Sequence, residues 1–364
     1  MWIEHVPIVE DGSLNGHVVH QSIASQPAPT QYQMEMSAAG IGHPKHGGDI
    51  GAGMAGQDVY GHTAHSIFVA DGHGVNGLDA ALETAGVAQM IEDVISPIDL
   101  LLNPERTAEK IRSKVVRHMQ QCVFETAGAT FTQMTLVESR ARRWAVTVNV
   151  GDSEALLVYK HKVVVCSVPH VWDSRIMYQR YLNHATRRKP VCYNRWNASK
   201  YSLRDPDGGH RPIMMYSIDN KNRAVVHQRN ANWMSELWKR RKRPSLRYGT
   251  QSVRMHAEPH ENWGSAVMMG GVARGQVMAT FGDASERRQT GVPLDMIHVY
   301  VHEIPFYENV IAITQSDGVS NARTLEDCAR KAWHSKNAAE YLSGIDAPKD
   351  DMSSAMAFLS VVKR

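Results

Sequence analysis

The chain has 364 residues, 43% of them hydrophobic and 21% charged, with a formal net charge of +3. These proportions sit near the globular average, so a sizeable buried core is expected and a wholly disordered chain is excluded. No run approaches the roughly 18 consecutive apolar residues of a spanning helix, and the opening MWIEHVPIVEDG lacks a basic segment followed by an apolar one.

A protein without membrane partners, cytoplasmic or nuclear, is therefore expected. Cys122, Cys166, Cys192 and Cys328 lie far apart with no CxxC pair and read as free thiols in a reducing compartment. The charge is uneven: positions 171–260 hold 19 Lys/Arg against 6 Asp/Glu, a balance of +13, which leaves 21 against 31, or −10, elsewhere.

In chain order, residues 1–31 mix Gly, Ser, Pro, His and Gln without a sustained period and read as an extension lying against a core formed by 32–364. YQMEMSAAG from Tyr32 and HSIFVADGHG from His65 carry strand signals, and between them lies a glycine-rich loop over 42–56. Positions 78–95 and 105–125 lack internal proline and place apolar residues three and four apart, which predicts two amphipathic helices broken near Ser96-Pro97 and Asn103-Pro104. FTQMTLVES, RRWAVTVNV, EALLVYK and KVVVCSV then predict a β-meander. A weakly periodic, basic insertion spans about 170–270. Strand signals resume at VMATFG, DMIHVYVHEI and NVIAITQS, a helical stretch follows over 325–342, and SSAMAFLSVV is a last strand. Strands, then helices, then strands again favour an α+β fold with helices on antiparallel sheets.

Three aspartates stand at the ends of strand-like runs: Asp71 in FVADGHG, Asp317 in IAITQSDGVS and Asp350 in PKDDMSSAMAFL. A strand end is a stiff platform, and carboxylate clusters suit hard ions such as Mg²⁺ or Mn²⁺. Asp-Gly after an apolar run is ordinarily a turn, so no triplet is specific alone. Their order is specific. Asp71-Gly72-His73-Gly74, Gly151-Asp152-Ser153, Ser316-Asp317-Gly318 and Asp350-Asp351-Met352-Ser353, with Gln57-Asp58, Gly128-Ala129-Thr130 and VMATFGD as weaker matches, resemble the metal-dependent serine/threonine protein phosphatases of type 2C, the PPM family.

The resemblance covers 32–169 and about 270–364. It implies a central antiparallel β-sandwich flanked by helix pairs and hydrolysis of phosphoserine or phosphothreonine in protein substrates by metal-bound water. Two or three Mg²⁺ or Mn²⁺ ions would be held by Asp58, Asp71, the Gly72 carbonyl, Asp152, Asp317 and Asp350, with Asp71 bridging. His73 matches the histidine that protonates the leaving oxygen, a role suited to imidazole.

The departures concern charge. Gly53 stands where the family has its phosphate-binding arginine, and Lys45, His46, Arg287 and Arg288 are the candidate substitutes. Gln57 replaces an acid, Asp351 an asparagine, Glu154 and Ala279 arginines. A catalytically weak pseudophosphatase scaffold is therefore an alternative. Lys239-Arg240-Arg241-Lys242-Arg243, among Trp172, Trp196, Trp233 and Trp238, suits either nucleic acid or acidic phosphoprotein partners. The histidine spacings His43/His46 and His62/His65 match no zinc module, and the eighteen methionines read as core filler.

Overall fold

The structure, a computed structural model, describes residues 2–5, 18–19, 31–46, 48–51, 53–139, 142–170, 175–184, 191–194, 203–204, 210–211, 213–214, 216–218, 220, 223–226, 265–269, 272–273, 277, 279–345 and 350–362. Within the basic insertion it describes a helix, Arg175–His184, and short strands, among them Val191–Asn194 and Ser265–Met269. The run 239–243 and the four tryptophans around it lie outside the described residues.

Two sheets carry the fold. The first runs in the order Trp2–His5, Lys162–Val165, Glu154–Val158, Val310–Gln315, Met352–Val362, Gln31–Ile41. The second runs Val18–Val19, His298–Glu303, Arg143–Val150, Phe131–Glu138, Ser66–His73, Asp58–His62, Met54–Ala55, Asp49–Gly51, with Gly128–Ala129 and Phe281–Gly282 joined at the end of Ser66–His73. Neighbours pair antiparallel except the two N-terminal segments, which add parallel strands at an edge of each sheet.

Period-two alternation sets the layers. In Arg143–Val150, Trp144, Val146 and Val148 face the helices Gly77–Ala85, Val87–Glu92 and Pro104–Gln121, together with Phe131, Ala80, Ile91, Ile111 and Val115. Ala145 points the other way, into a core shared with Ile67, Met134 and Tyr300 of its own sheet and with Ala155, Leu157, Ala312 and Ala357 of the facing sheet. On the outer face of that first sheet, Leu156, Ile311, Ile313 and Met356 pack against Leu325, Cys328, Ala329 and Tyr341. The result is four layers, helix on sheet on sheet on helix: the α+β class and the helix-flanked antiparallel sandwich expected above.

Several expectations change in detail. The meander is split: Phe131–Glu138 and Arg143–Val150 lie in the second sheet, while Glu154–Val158 and Lys162–Val165 lie in the first. The chain crosses the sandwich at Gly151-Asp152-Ser153, which local hydrophobicity cannot register because both hairpins are buried on both faces. The helix expected over 78–95 is two helices meeting at Gly86, and 325–342 is likewise two, Leu325–His334 and Ala338–Leu342.

The proline breaks turn out to be starts. Asn103 accepts a hydrogen bond from the Arg106 N–H at 2.9 Å with Pro104 in the first turn, and Ser96 with Pro97 opens a further short helix, Pro97–Leu102. Among the described residues of VMATFG, the strand is Phe281–Gly282, before an unanticipated helix Ala284–Thr290. Cys122, Cys166 and Cys328 are buried free thiols. No helix among the described residues is long and apolar enough to cross a membrane.

The crossing turn has a strict requirement. Gly151 has φ of +98°, and a Cβ there would come within 2.5 Å of the Thr130 Cβ. Gly151→Ala is expected to lower unfolding free energy by roughly 2–5 kcal/mol, from backbone strain plus overpacking. Urea denaturation checks this, and an unchanged midpoint would mean that the turn is not built as described.

Candidate functional site

The carboxylates predicted to act together come from separated stretches of chain, and strand pairing delivers them to one end of the sandwich. Asp58 and Asp71 are cross-strand partners. Val310–Gln315 and Met352–Val362 are antiparallel neighbours, so Asp317, just past the end of one, lies beside Asp350, just before the start of the other. The two turns are cross-tied. The Ser316 N–H donates to the Ser353 carbonyl at 3.0 Å, and the Ser353 N–H donates to Ser316 Oγ at 3.0 Å.

Asp152 arrives on the crossing turn. His170 braces it twice: its own N–H donates to the Gly151 carbonyl at 2.9 Å, and its Nδ1 accepts from the Gly151 N–H at 3.1 Å. Burial, with Arg180 nearby, pulls His170 down to about 3, so the ring is neutral and Nδ1 can accept. Thr130 links this turn to Asp71, its N–H donating to the Asp71 carbonyl at 2.8 Å while its hydroxyl pairs with Ser153 Oγ at 2.6 Å. Asn149 completes the brace by donating to Thr132 Oγ1 and the Ser153 carbonyl.

Asp71 is the electrostatic hub. Burial, and then repulsion from Asp58, Asp317, Asp350 and Asp152, holds its carboxyl well above the usual carboxylate range. Asp58 is raised too, chiefly by burial, then by Asp351 and Asp350, against the opposing hydrogen bonds of Ser353 and Ser316. The structure thus brings together all five carboxylates that the sequence nominated, with Gly72 directly after the hub.

These residues fit a hard cation. Asp58 Oδ2 accepts from Ser353 at 2.8 Å, yet its Oδ1 is buried with no hydrogen-bond partner, which is costly unless a positive charge faces it. Among the described residues no three His, Cys, Asp or Glu side chains close into a ready-made cage. An ion that keeps several of its waters needs only one or two carboxylates directly.

The departures from the resembled pattern have structural reasons. Gly53 has φ of +82°, a conformation that an arginine would adopt only under strain, and its carbonyl accepts from the Tyr60 N–H. Gln57 donates its side-chain N–H to the Gly74 carbonyl at 2.7 Å, a bond that an ionised glutamate could not make. Asp351 faces the glycine-rich loop. Its Oδ1 accepts from the His43 N–H at 2.6 Å, and its Oδ2 accepts from the Gln57 N–H at 2.9 Å and lies 2.8 Å from His46 Nδ1.

Among the substitute cations, His46 is therefore held by Asp351, Arg288 pairs with Glu125, and Arg287 donates to the Gly282 carbonyl at 2.7 Å. Lys45 sits on the exposed turn Pro44–His46. None of the four is placed against the carboxylate hub by these contacts.

His73 lies two residues past Asp71, and its Nε2 is 2.6 Å from Asp283 Oδ2. Burial pulls the ring down, but the Asp283 hydrogen bond and charge, with Asp152 and Glu286, more than offset it, so His73 is raised overall. Asp283 was visible in the sequence only as the end of VMATFGD. Thr130 and Ser153 were visible only as members of matched triplets, and His170 gave no signal, because these residues act by bracing backbone.

No family model matches the chain, and no curated protein matches it in sequence. Among solved structures it is similar to the PPM Ser-Thr phosphatase MsPP from Mycobacterium smegmatis in complex with cacodylate, at 11% identity over 91% of this chain and 99% of that one, TM-score 0.44. It is similar to the Mycobacterium tuberculosis serine/threonine phosphatase PstP/Ppp at 13% identity, covering 89% and 97% of the two chains, TM-score 0.45. A third likeness is to the Staphylococcus aureus serine/threonine phosphatase Stp1, at 11% identity over 95% and 100%, TM-score 0.44.

The crowded carboxylates make stability depend on pH in a definite direction. Because Asp58 and Asp71 are raised in the folded state, the folded protein holds more protons than the unfolded one between the ordinary carboxylate range and the raised values. Stability without divalent ions should therefore fall as pH rises through that window. Asp71→Asn should flatten this fall and raise the metal-free melting temperature at pH 7, while Mn²⁺ should stabilise the parent more than the variant. Thermal melts with and without Mn²⁺ check it, and a variant that melts lower than the metal-free parent at pH 7 would contradict the repulsion.

Proposed function

We propose that the protein is a metal-dependent phosphatase acting on phosphoserine or phosphothreonine. The observation that carries this reading is the half-buried Asp71, crowded by Asp58, Asp152, Asp317 and Asp350, with the orphaned Oδ1 on its cross-strand partner Asp58. Such a concentration of negative charge has a use if divalent cations neutralise it.

In this reading such ions would be held by Asp71, Asp58, Asp317, Asp350 and the Gly72 carbonyl, with Asp152 available to a further one. When bound, such Mg²⁺ or Mn²⁺ ions would grip phosphoryl oxygens and lower the pKa of a water for in-line attack on phosphorus. The chain's own residues then do three things. The serine and threonine hydroxyls at 130, 153, 316 and 353 hold the carboxylate-bearing turns in register. The Gln57 bond to Gly74 fixes the turn that follows His73. His73 donates a proton to the oxygen that leaves phosphorus.

A second reading, a scaffold of weak or no turnover, is favoured by one observation. Gly53 offers no guanidinium, and Arg287, Arg288 and His46 are each engaged elsewhere. A missing bidentate arginine weakens phosphate binding, which raises KM before it removes kcat.

Turnover of a small phosphoester by purified protein should require added Mn²⁺ or Mg²⁺ and vanish in chelator, and Asp71→Asn and Asp317→Asn should each lower kcat by at least about 10²-fold with cooperative unfolding retained. Full activity after exhaustive chelation would sink the metal reading. Inactivity of the parent with both metals would favour the scaffold. His73→Ala should slow an alkyl phosphate by about 10²–10⁴-fold and an activated aryl phosphate far less, because a good leaving group needs little protonation. Equal losses would remove His73 from that role.

A further inference from the structure

Among the described residues, Asp283 is the one non-glycine residue with positive φ, at +45°. That conformation is strained for an L residue, although aspartate tolerates it better than most. The surroundings hold it there. The Asp283 N–H donates to the Ala127 carbonyl at 2.9 Å, the Ala284 N–H to the Phe124 carbonyl at 3.0 Å, and the Arg287 N–H to the Asp283 carbonyl at 2.9 Å. Gly128 provides the notch for the carboxylate, since a Cβ at that position would come within 2.5 Å of Asp283 Oδ2.

All of this aims one oxygen. Asp283 Oδ2 lies 2.6 Å from His73 Nε2 and accepts from Thr280 Oγ1 at 2.7 Å, joining residues 210 positions apart in sequence. An ionised carboxylate only accepts, so the proton in the bond sits on Nε2. The other ring nitrogen, Nδ1, is on the opposite edge of the imidazole, and the His73 side chain is 41% exposed against 17% for Asp283.

We propose that Asp283 is the positioning residue for His73. It holds the ring with Nε2–H turned toward itself, so that Nδ1 is the atom that delivers the proton to the leaving oxygen. The inference rests on the reading of His73 as general acid. As the phosphorus–oxygen bond breaks, its electron pair stays on the leaving oxygen. That oxygen takes the Nδ1 proton, and the ring is left neutral with Nε2–H still on Asp283.

Two variants separate positioning from mere support. Asp283→Gly removes the carboxylate while accepting φ of +45° without strain, and cooperative thermal unfolding of the variant confirms that it folds. Asp283→Asn keeps an acceptor oxygen and also tolerates this backbone. With saturating Mn²⁺, Asp283→Gly should lower kcat for an alkyl phosphate by about 10²-fold, with KM nearly unchanged and a far smaller loss on an activated aryl phosphate. Asp283→Asn should restore most of that loss.

Independently of turnover, ¹⁵N NMR of the neutral ring should show a single Nε2–H tautomer in the parent and a tautomer mixture in Asp283→Gly. A His73→Gln sample identifies the signal. Unchanged alkyl phosphate turnover in Asp283→Gly, equal loss on both substrates, or a ring spectrum indifferent to the substitution would each overturn the proposal. A parent with no metal-dependent turnover would defeat the phosphatase reading instead, and the ring spectrum would then decide the positioning by itself.

Discussion

Like charges held close together in a place sheltered from water dominate this molecule. Asp71 feels Asp58, Asp152, Asp317 and Asp350 at once, and burial removes the water that would otherwise screen them. A flexible chain would relieve that repulsion by letting the side chains swing apart. Here they cannot, because each stands at the end of a strand or on a turn tied to its neighbours. Hydrogen bonds of the hydroxyls and backbone of Thr130, Ser153, Ser316 and Ser353 tie them. The four-layer architecture supplies the stiffness, with apolar cores on both outer faces of the sandwich and a third between the sheets. Near the carboxylate end the filling changes from aliphatic to hydroxyl and amide, at Thr132, Asn149 and Ser153, so that the buried turns find hydrogen-bond partners.

The changes in charge around this cluster are coordinated. Asp351 adds a negative group next to Asp350, but its two oxygens are directed at two backbone N–H groups and His46, which tie the glycine-rich loop to the last strand. Gln57 gives up a carboxylate and gains a donor, and the donor fixes the turn after His73. Gly53 gives up a side chain where the backbone turns left-handed. Each departure thus exchanges an electrostatic role for a structural one, and together they leave the carboxylate hub intact while thinning the positive charge that would meet an anionic substrate.

His73 and Asp283 form a separate unit at the rim of this cluster. Their contact depends on a strained residue, a glycine notch and an arginine that supports the Gly282 carbonyl, none of which touches the carboxylate hub through these bonds. The carboxylate cluster and the His73–Asp283 pair are therefore mechanically distinct, although Asp152 contributes to the charge around both Asp71 and His73. Strain of this kind persists only where the surrounding structure over-determines it, and the bonds to Ala127 and Phe124, with the notch at Gly128, do so.

Much of the framework was legible in the residues themselves. Alternating apolar runs placed the central strands, three- and four-residue spacing placed the long helices, and the order of Asp71, Asp152, Asp317 and Asp350 nominated the cluster before any pairing was known. These are local signals, and local signals survive in one dimension. Which sheet each hairpin joins was not legible, because Arg143–Val150 and Glu154–Val158 are buried on both faces and carry the same pattern. Nor were the partners of His73 and Asp351, which lie 210 positions away at Asp283 and 308 away at His43. The sequence by itself determined the element types and the identity of the carboxylates. Only the tertiary structure decided which oxygen meets which nitrogen, because a hydrogen bond is set by position and direction in space, and strand pairing brings together residues that nothing along the chain connects.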